Sequence, residues 1–249
     1  MNTNLWKEFF SDAEMVPGMR EQGKGIKIYG ECEYAPLKAA VVGSPTGFFI
    51  PDPKTPEGAQ MFKYMPKESL KFLGENAGKN LKDVDPKLWD VMAKESNALA
   101  DAYRQAGVHV IRHEGELPDE LRDYSEGWSG LRQITLWPGS LGEVLGNIFL
   151  RVWEVSYSSA TELLHREAIV EAFKNTPDAI WLETPSIYPN IRLPELGSNY
   201  PGPFTSPGDF RIFKKHLVLG IGVADPSHVN DVTKQRSSGD EFGAEVLRR

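Results

Sequence analysis

The chain has 249 residues and a formal net charge of −7, with 40% hydrophobic and 25% charged residues, a composition ordinary for a globular protein of one large or two small domains. The acidic balance and the scattered Lys and Arg argue against a nucleic-acid footprint, no run approaches the roughly 20 apolar residues of a membrane helix, and residues 1–19 lack the continuous apolar core of a signal peptide. The lone cysteine, Cys32, excludes an internal disulfide and a cysteine zinc cluster; the expected setting is the cytoplasm, without metal, cofactor, membrane or nucleic acid.

Residues 1–30 read as an N-terminal arm, with a short helix over Leu5–Phe10 and a Gly-rich turn at Gly23–Gly25, ahead of one domain over 31–249. A tight turn before Pro36 feeds a buried strand, Leu37–Gly43. Residues 44–66 are rich in Pro and Gly but carry Phe48, Phe49, Phe62 and Tyr64, so an ordered loop is expected rather than a linker. A short helix follows at Lys67–Phe72. Asp85 as N-cap and Pro86 at the first helical position open the clearest helix in the chain. Leu88, Val91, Met92, Leu99, Ala102, Tyr103 and Ala106 fall on one apolar stripe, Gly107 stops the helix, and Val108–Arg112 is a strand.

Residues from Glu114 to Trp137 are polar and irregular. Leu141–Leu145, the two-residue turn Gly146-Asn147 and Ile148–Trp153 then form a hairpin. Ser159 and Glu162 make a capping box that opens a helix of about four turns ending near Asn175, and Ala179–Thr184 is a buried strand. Six prolines and three glycines crowd Pro185–Gly208, an ordered loop by its aromatic and aliphatic content. Phe210–Phe213 and His216–Gly222 form a second hairpin, and a capping box at Ser238 and Glu241 opens a helix with Phe242, Val246 and Leu247 inward.

The unit hairpin, helix, strand thus recurs, and about two and a half copies are legible before Arg249. One such unit cannot bury its own apolar face. An array that stops within a unit leads to the expectation of a further segment or a completing partner chain.

Most candidate chemistry reads as structure. His109 and His113 are spaced for zinc on a helix, but on a strand at about 3.3 Å per residue their side chains are too far apart to share an ion. Gly127-Trp128-Ser129-Gly130 is one residue short of a nucleophile elbow. Gly220 and Gly222 lack the third glycine of a dinucleotide fingerprint. Cys32 lies between Glu31 and Glu33, whose carboxylates disfavour a thiolate. Asp209 is different, because Ser-Pro-Gly-Asp-Phe puts a carboxylate where a Pro/Gly loop enters a hairpin strand. That is a place for a functional side chain, and equally for a turn-initiating Asp.

Taken together, these segments resemble the amidinotransferases of the glycine amidinotransferase type. Cys32-Glu-Tyr-Ala-Pro-Leu-Lys-Ala-Ala-Val-Val-Gly43 is similar to the family opening Asn-Glu-Trp-Asp-Pro-Leu, strand and Gly. Helix Pro86–Ala106 with Gly107-Val-His-Val, the stretch Pro138–Asn147, Ser206-Pro-Gly-Asp-Phe210 and Gln235–Arg249 are similar to later family segments in the same order. The resemblance implies an α/β pentein propeller, of which about two and a half of five blades are present. It also implies a reaction in which a cysteine thiolate attacks a guanidinium carbon, with a histidine and carboxylates assisting. Asp209 is then the carboxylate partner of the histidine. Ser140 takes the position of a guanidinium-binding Asp, since Gly139-Ser140 replaces Arg-Asp, and Tyr157-Ser158-Ser159 replaces a frequent Arg-Ser-Arg.

The family histidine and cysteine follow the segment that ends here at Arg249. The implied activity of the complete form is transfer of an amidino group from arginine, or a related guanidine, to an acceptor amine through a Cys adduct. The alternatives are a non-catalytic pentein that binds a guanidino compound or a partner chain, and a guanidine-modifying hydrolase. The implied partners are arginine or a similar guanidino substrate, an amine acceptor, and a second copy or completing chain. Residues 1–249 alone are expected to be inactive on arginine and poorly stable.

Overall fold

The computed structural model describes residues 14, 16–54, 62, 65–114, 142–151, 161–183, 210–213, 216–220, 245, 247 and 248. Among them, the elements in chain order are α1 (Met19–Gly23), β1 (Ala39–Val41), α2 (Lys67–Asn76), α3 (Leu81–Val84), α4 (Pro86–Gln105), β2 (His109–Ile111), β3 (Glu143–Leu145), β4 (Ile148–Arg151), α5 (Thr161–Lys174), β5 (Ile180–Glu183), β6 (Phe210–Phe213) and β7 (His216–Leu219). Within this set, no helix is long and apolar enough to cross a membrane.

The hairpin, helix, strand unit is complete in β3, β4, α5 and β5. β3 and β4 pair antiparallel from Glu143↔Leu150 to Leu145↔Ile148, and the turn between them is closed by Gly146 at φ +59°, a conformation glycine adopts without a Cβ penalty. α5 then returns the chain so that β5 lies parallel to β4, Ile148 opposite Ile180 and Arg151 opposite Glu183. Phe149 of β4, Phe173 of α5 and Trp181 of β5 interlock, with Phe149 4.9 Å from Trp181 and 6.4 Å from Phe173, centroid to centroid and edge to face. Such aromatic pairs contribute about 0.5–1.5 kcal/mol beyond the area they bury.

The first unit repeats the helix and strand. The Asp85 carboxylate accepts from the Leu88 amide at 3.0 Å, Pro86 opens α4, and Gly107 ends it at φ +78°. β2 then pairs parallel with β1, Ala39 opposite His109. The loop after β1 is ordered where it is described: Ile50 is fully buried, Phe49 and Phe62 nearly so. In the third unit β6 and β7 pair antiparallel, and Leu247, in the helical segment that follows, packs with Leu217 and Leu219 against Leu150. That contact joins the third unit to the second.

Three expectations are corrected. Part of the apolar stripe of α4 does not face the core: Leu88, Val91 and Leu99 are 43%, 52% and 51% exposed, while Tyr103 of the stripe packs against Val42, Val110 and Ala100, the buried residue of the helix. A polar tether from Ser96 and Asn97 to Arg112 sets this rotation. Among the described residues β5 is an edge strand, with Ile180 and Leu182 half exposed, rather than a buried one, because only β4 pairs with it there. The arm is, from Val16 onward, part of the domain. Val16 and Met19 are buried with Phe49, Ile111, Leu164 and Ala168 in one cluster, and the Val16 amide donates to Glu167 at 3.1 Å. The helix expected at Leu5–Phe10, the irregular stretch past Glu114 and the loop 185–208 lie outside the described residues.

The docking of α1 on α5 depends on Gly23, where a Cβ would stand 2.2 Å from the Ala168 carbonyl oxygen. Gly74, inside α2, has nothing nearer than Pro53 Cγ at 3.8 Å. Gly23→Ala is therefore expected to destabilise the fold by about 1–3 kcal/mol through overpacking. Gly74→Ala is expected to stabilise it by roughly 0.5–1 kcal/mol through helix propensity. Denaturant melts of the two variants check the opposite signs.

Candidate functional site

Because β1 and β2 run parallel, the residues that follow them leave the sheet at one edge, the place where open α/β sheets receive ligands. Ser44 and Thr46 follow β1, and Arg112 and Glu114 follow β2. With Asn97, Asp101 and Arg104 of α4 they border a polar groove of about 360 Å³. Arg112 is only 4% exposed. Its Nε donates to the Gly43 carbonyl at 3.2 Å, Nη1 to Asn97 Oδ1 at 2.7 Å and Nη2 to Ser96 Oγ at 2.7 Å. Burial lowers its pKa, an effect opposed by Glu114. At the rim, Arg104 bridges Asp101 at 3.0 Å and Glu114 at 3.4 Å.

A second cluster is built from three segments far apart in the chain. Gly30 and Gly146 exchange backbone hydrogen bonds of 2.8 and 2.7 Å, which lays the Cys32 segment beside the β3–β4 turn. A Cβ on Gly30 would lie 2.7 Å from the Val144 carbonyl oxygen, so the approach is possible only without a side chain. The same segment reaches β6: Glu33 pairs with Arg211 at 3.6 Å, and Tyr34 meets Phe213 with ring centroids 6.2 Å apart. Glu143 completes the cluster. Burial raises its pKa, the Val144 amide opposes this, Glu33 raises it further and Arg211 lowers it.

Asp209 and Ser140 lie outside the described residues. Asp209 immediately precedes the first residue of β6, and Ser140 lies two positions before Gly142. Cys32 is a free, partly buried thiol. The two histidines are placed differently: His109 is exposed with Nε2 2.7 Å from the Gln22 carbonyl oxygen, to which it donates, whereas His113 is buried. Among the described residues no group of three His, Cys, Asp or Glu could hold a metal ion. Arg112 was missed by sequence reasoning, which took it as the polar end of a strand. The one signal was a charge placed directly after Val110 and Ile111.

No protein-family model matches the sequence, and no curated protein does. Solved structures do. The chain is similar to the inosamine-phosphate amidinotransferase StrB1 of Streptomyces griseus, with 18% identity and a TM-score of 0.57 over 90% of this chain. It is also similar to SxtG, an amidinotransferase of Microseira wollei in saxitoxin biosynthesis, with 19% identity and a TM-score of 0.52 over 75% of this chain. The chain therefore has the α/β-propeller fold of the amidinotransferases. It spans 59% and 55% of the lengths of these two proteins, and among the described residues the strands do not close into a ring.

The raised pKa of Glu143 has a consequence for stability. A carboxyl group held above its unfolded value costs the fold nothing in acid, where both states are protonated, and the cost grows as pH rises through the folded value. Glu143→Gln removes that cost. The variant is expected to melt higher than the parent at neutral and alkaline pH, with the gap closing as pH falls through the carboxylate range. Melting curves across pH check this, and a gap that persists in acid would contradict it.

Proposed function

We propose that this chain is part of an amidinotransferase-type enzyme that moves the amidino group of arginine, or a related guanidine, to an acceptor amine. The observation that carries the reading is the meeting of segments 30–34, 142–147 and 210–213, which overlap three of the stretches that resemble the family, on a fold shared with two amidinotransferases. A guanidinium is resonance-stabilised and cationic, so its transfer needs carboxylates to hold it and a thiolate to attack it. In this reading Asp209, at the entry to β6, orients and charges the family histidine, and Ser140 contacts the substrate. In the family the thiolate belongs to a cysteine downstream of the segment similar to Gln235–Arg249, and Cys32 lies in the opening stretch instead. The chemistry divides into attack of the thiolate on the guanidinium carbon, which breaks the C–N bond and releases ornithine, then attack by the amine on the same carbon, which breaks the C–S bond and frees the thiolate with the new guanidino product.

A second reading is favoured by one observation, the replacement of Arg-Asp by Gly139-Ser140. A pocket that lacks one guanidinium-binding carboxylate suits a pentein that binds a guanidino compound without converting it. The full natural protein, given arginine and a panel of amines, separates the two. Transfer releases ornithine, and Asp209→Asn is expected to lower its rate by about 10²–10⁴-fold, the usual contribution of acid-base assistance. Arginine that binds and yields no ornithine in the unsubstituted protein supports the second reading.

A further inference from the structure

We propose that the groove at the edge of β1 and β2 binds a small oxyanion, the carboxylate or phosphate group of a metabolite, with Arg112 as its anchor. The inference does not depend on the amidino-transfer reading. Arg112 is 4% exposed, yet its three hydrogen bonds go to neutral acceptors, a backbone carbonyl, an amide oxygen and a hydroxyl. Guanidinium carries five N–H donors. Two remain, and among the described residues no carboxylate lies within ion-pair distance of the group. A buried cation that is hydrogen-bonded but not ion-paired is costly to the fold, and such an arrangement is compensated when an anion from solution completes it.

The surroundings fit that role. The two carboxylates at the groove, Asp101 and Glu114, are both engaged by Arg104 at the rim, which leaves the inner charge of Arg112 uncancelled by contact. Ser44 and Thr46 also border the groove, and the Ser44 hydroxyl donates to Thr46 Oγ1 at 3.0 Å. At about 360 Å³ the volume is at the lower end of the range for small-molecule sites, so the ligand is a small acid rather than a nucleotide.

The test is thermal melting and direct titration of the full natural protein with inorganic phosphate and with acetate, at constant ionic strength, against chloride. Stabilisation by phosphate, acetate or both, but not by chloride, is expected, and the stronger of the two names the source. Asn97→Asp keeps the side-chain shape and the bond to Nη1 but supplies the missing carboxylate from within. It should weaken anion binding at least about tenfold, as loss of a charge-assisted contact does. Asp101→Asn changes an exposed side chain and removes a competing negative charge, so binding should tighten a few-fold. No response to either anion in the unsubstituted protein would overturn the proposal, as would equal binding by the parent and Asn97→Asp, or binding unchanged or weakened in Asp101→Asn.

Discussion

Two parallel strands cannot be joined by a tight turn, because the chain must travel back along their whole length before it can pair again. That constraint shapes both of the parallel pairs described here. The path from β1 to β2 ends with α4, and the path from β4 to β5 is filled by α5. The return places the C-terminal ends of both strands on the same edge, so polar residues that end the strands become neighbours. Arg112 and Glu114 meet the loop after β1 in this way, and Arg151 and Glu183, directly opposite in register, form an ion pair. Sites of charge in this fold are consequences of strand direction.

The same constraint makes each unit depend on its surroundings. α5 is covered by α1 on one side, where Gly23 allows contact with Ala168, and by Phe149 and Trp181 on another through Ile169, Ala172 and Phe173. Thr176, just past α5, accepts from the Ile28 amide and donates to the Ala172 carbonyl, which ties the N-terminal segment to the end of the helix. α4 is held differently. Its inner face presents Trp89, Ser96 and Ala100, and its position is fixed by hydrogen bonds to Pro45, Gly43 and Arg112 as much as by apolar contact. Polar tethers of this kind specify one orientation, and here they leave leucines and a valine facing outward.

This difference explains what the sequence disclosed. The caps at Asp85 and Gly107 and the turn at Gly146 act within a few residues of the chain, so their chemistry could be read locally, and the structure has them where they were expected. The rotation of α4 depends on Arg112, which is 15 residues from Asn97, and the packing of Val16 depends on Glu167, 151 residues away. No local pattern carries that information. An apolar stripe was visible at helical spacing, and a long-range polar network decided against part of it. The site was legible unevenly for the same reason. Asp209 stood out as a candidate because its loop and strand are adjacent in sequence, Ser140 became one only through resemblance to a family, and both lie outside the described residues. The groove around Arg112 and the contact of Glu33 with Arg211 exist only in three dimensions.

The central proposal is that a fold shared with amidinotransferases here serves transfer of an amidino group, although the chain is only 18–19% identical to the two solved structures it is similar to. The most direct measurement supplies the full natural protein with arginine carrying isotopic carbon in the guanidino group, together with candidate amines, and follows the label by mass spectrometry. The account predicts label in a new guanidino product, with unlabelled ornithine formed in equal amount. Label recovered in urea or citrulline would assign the fold to hydrolysis, and label that stays in arginine with every amine offered would contradict transfer.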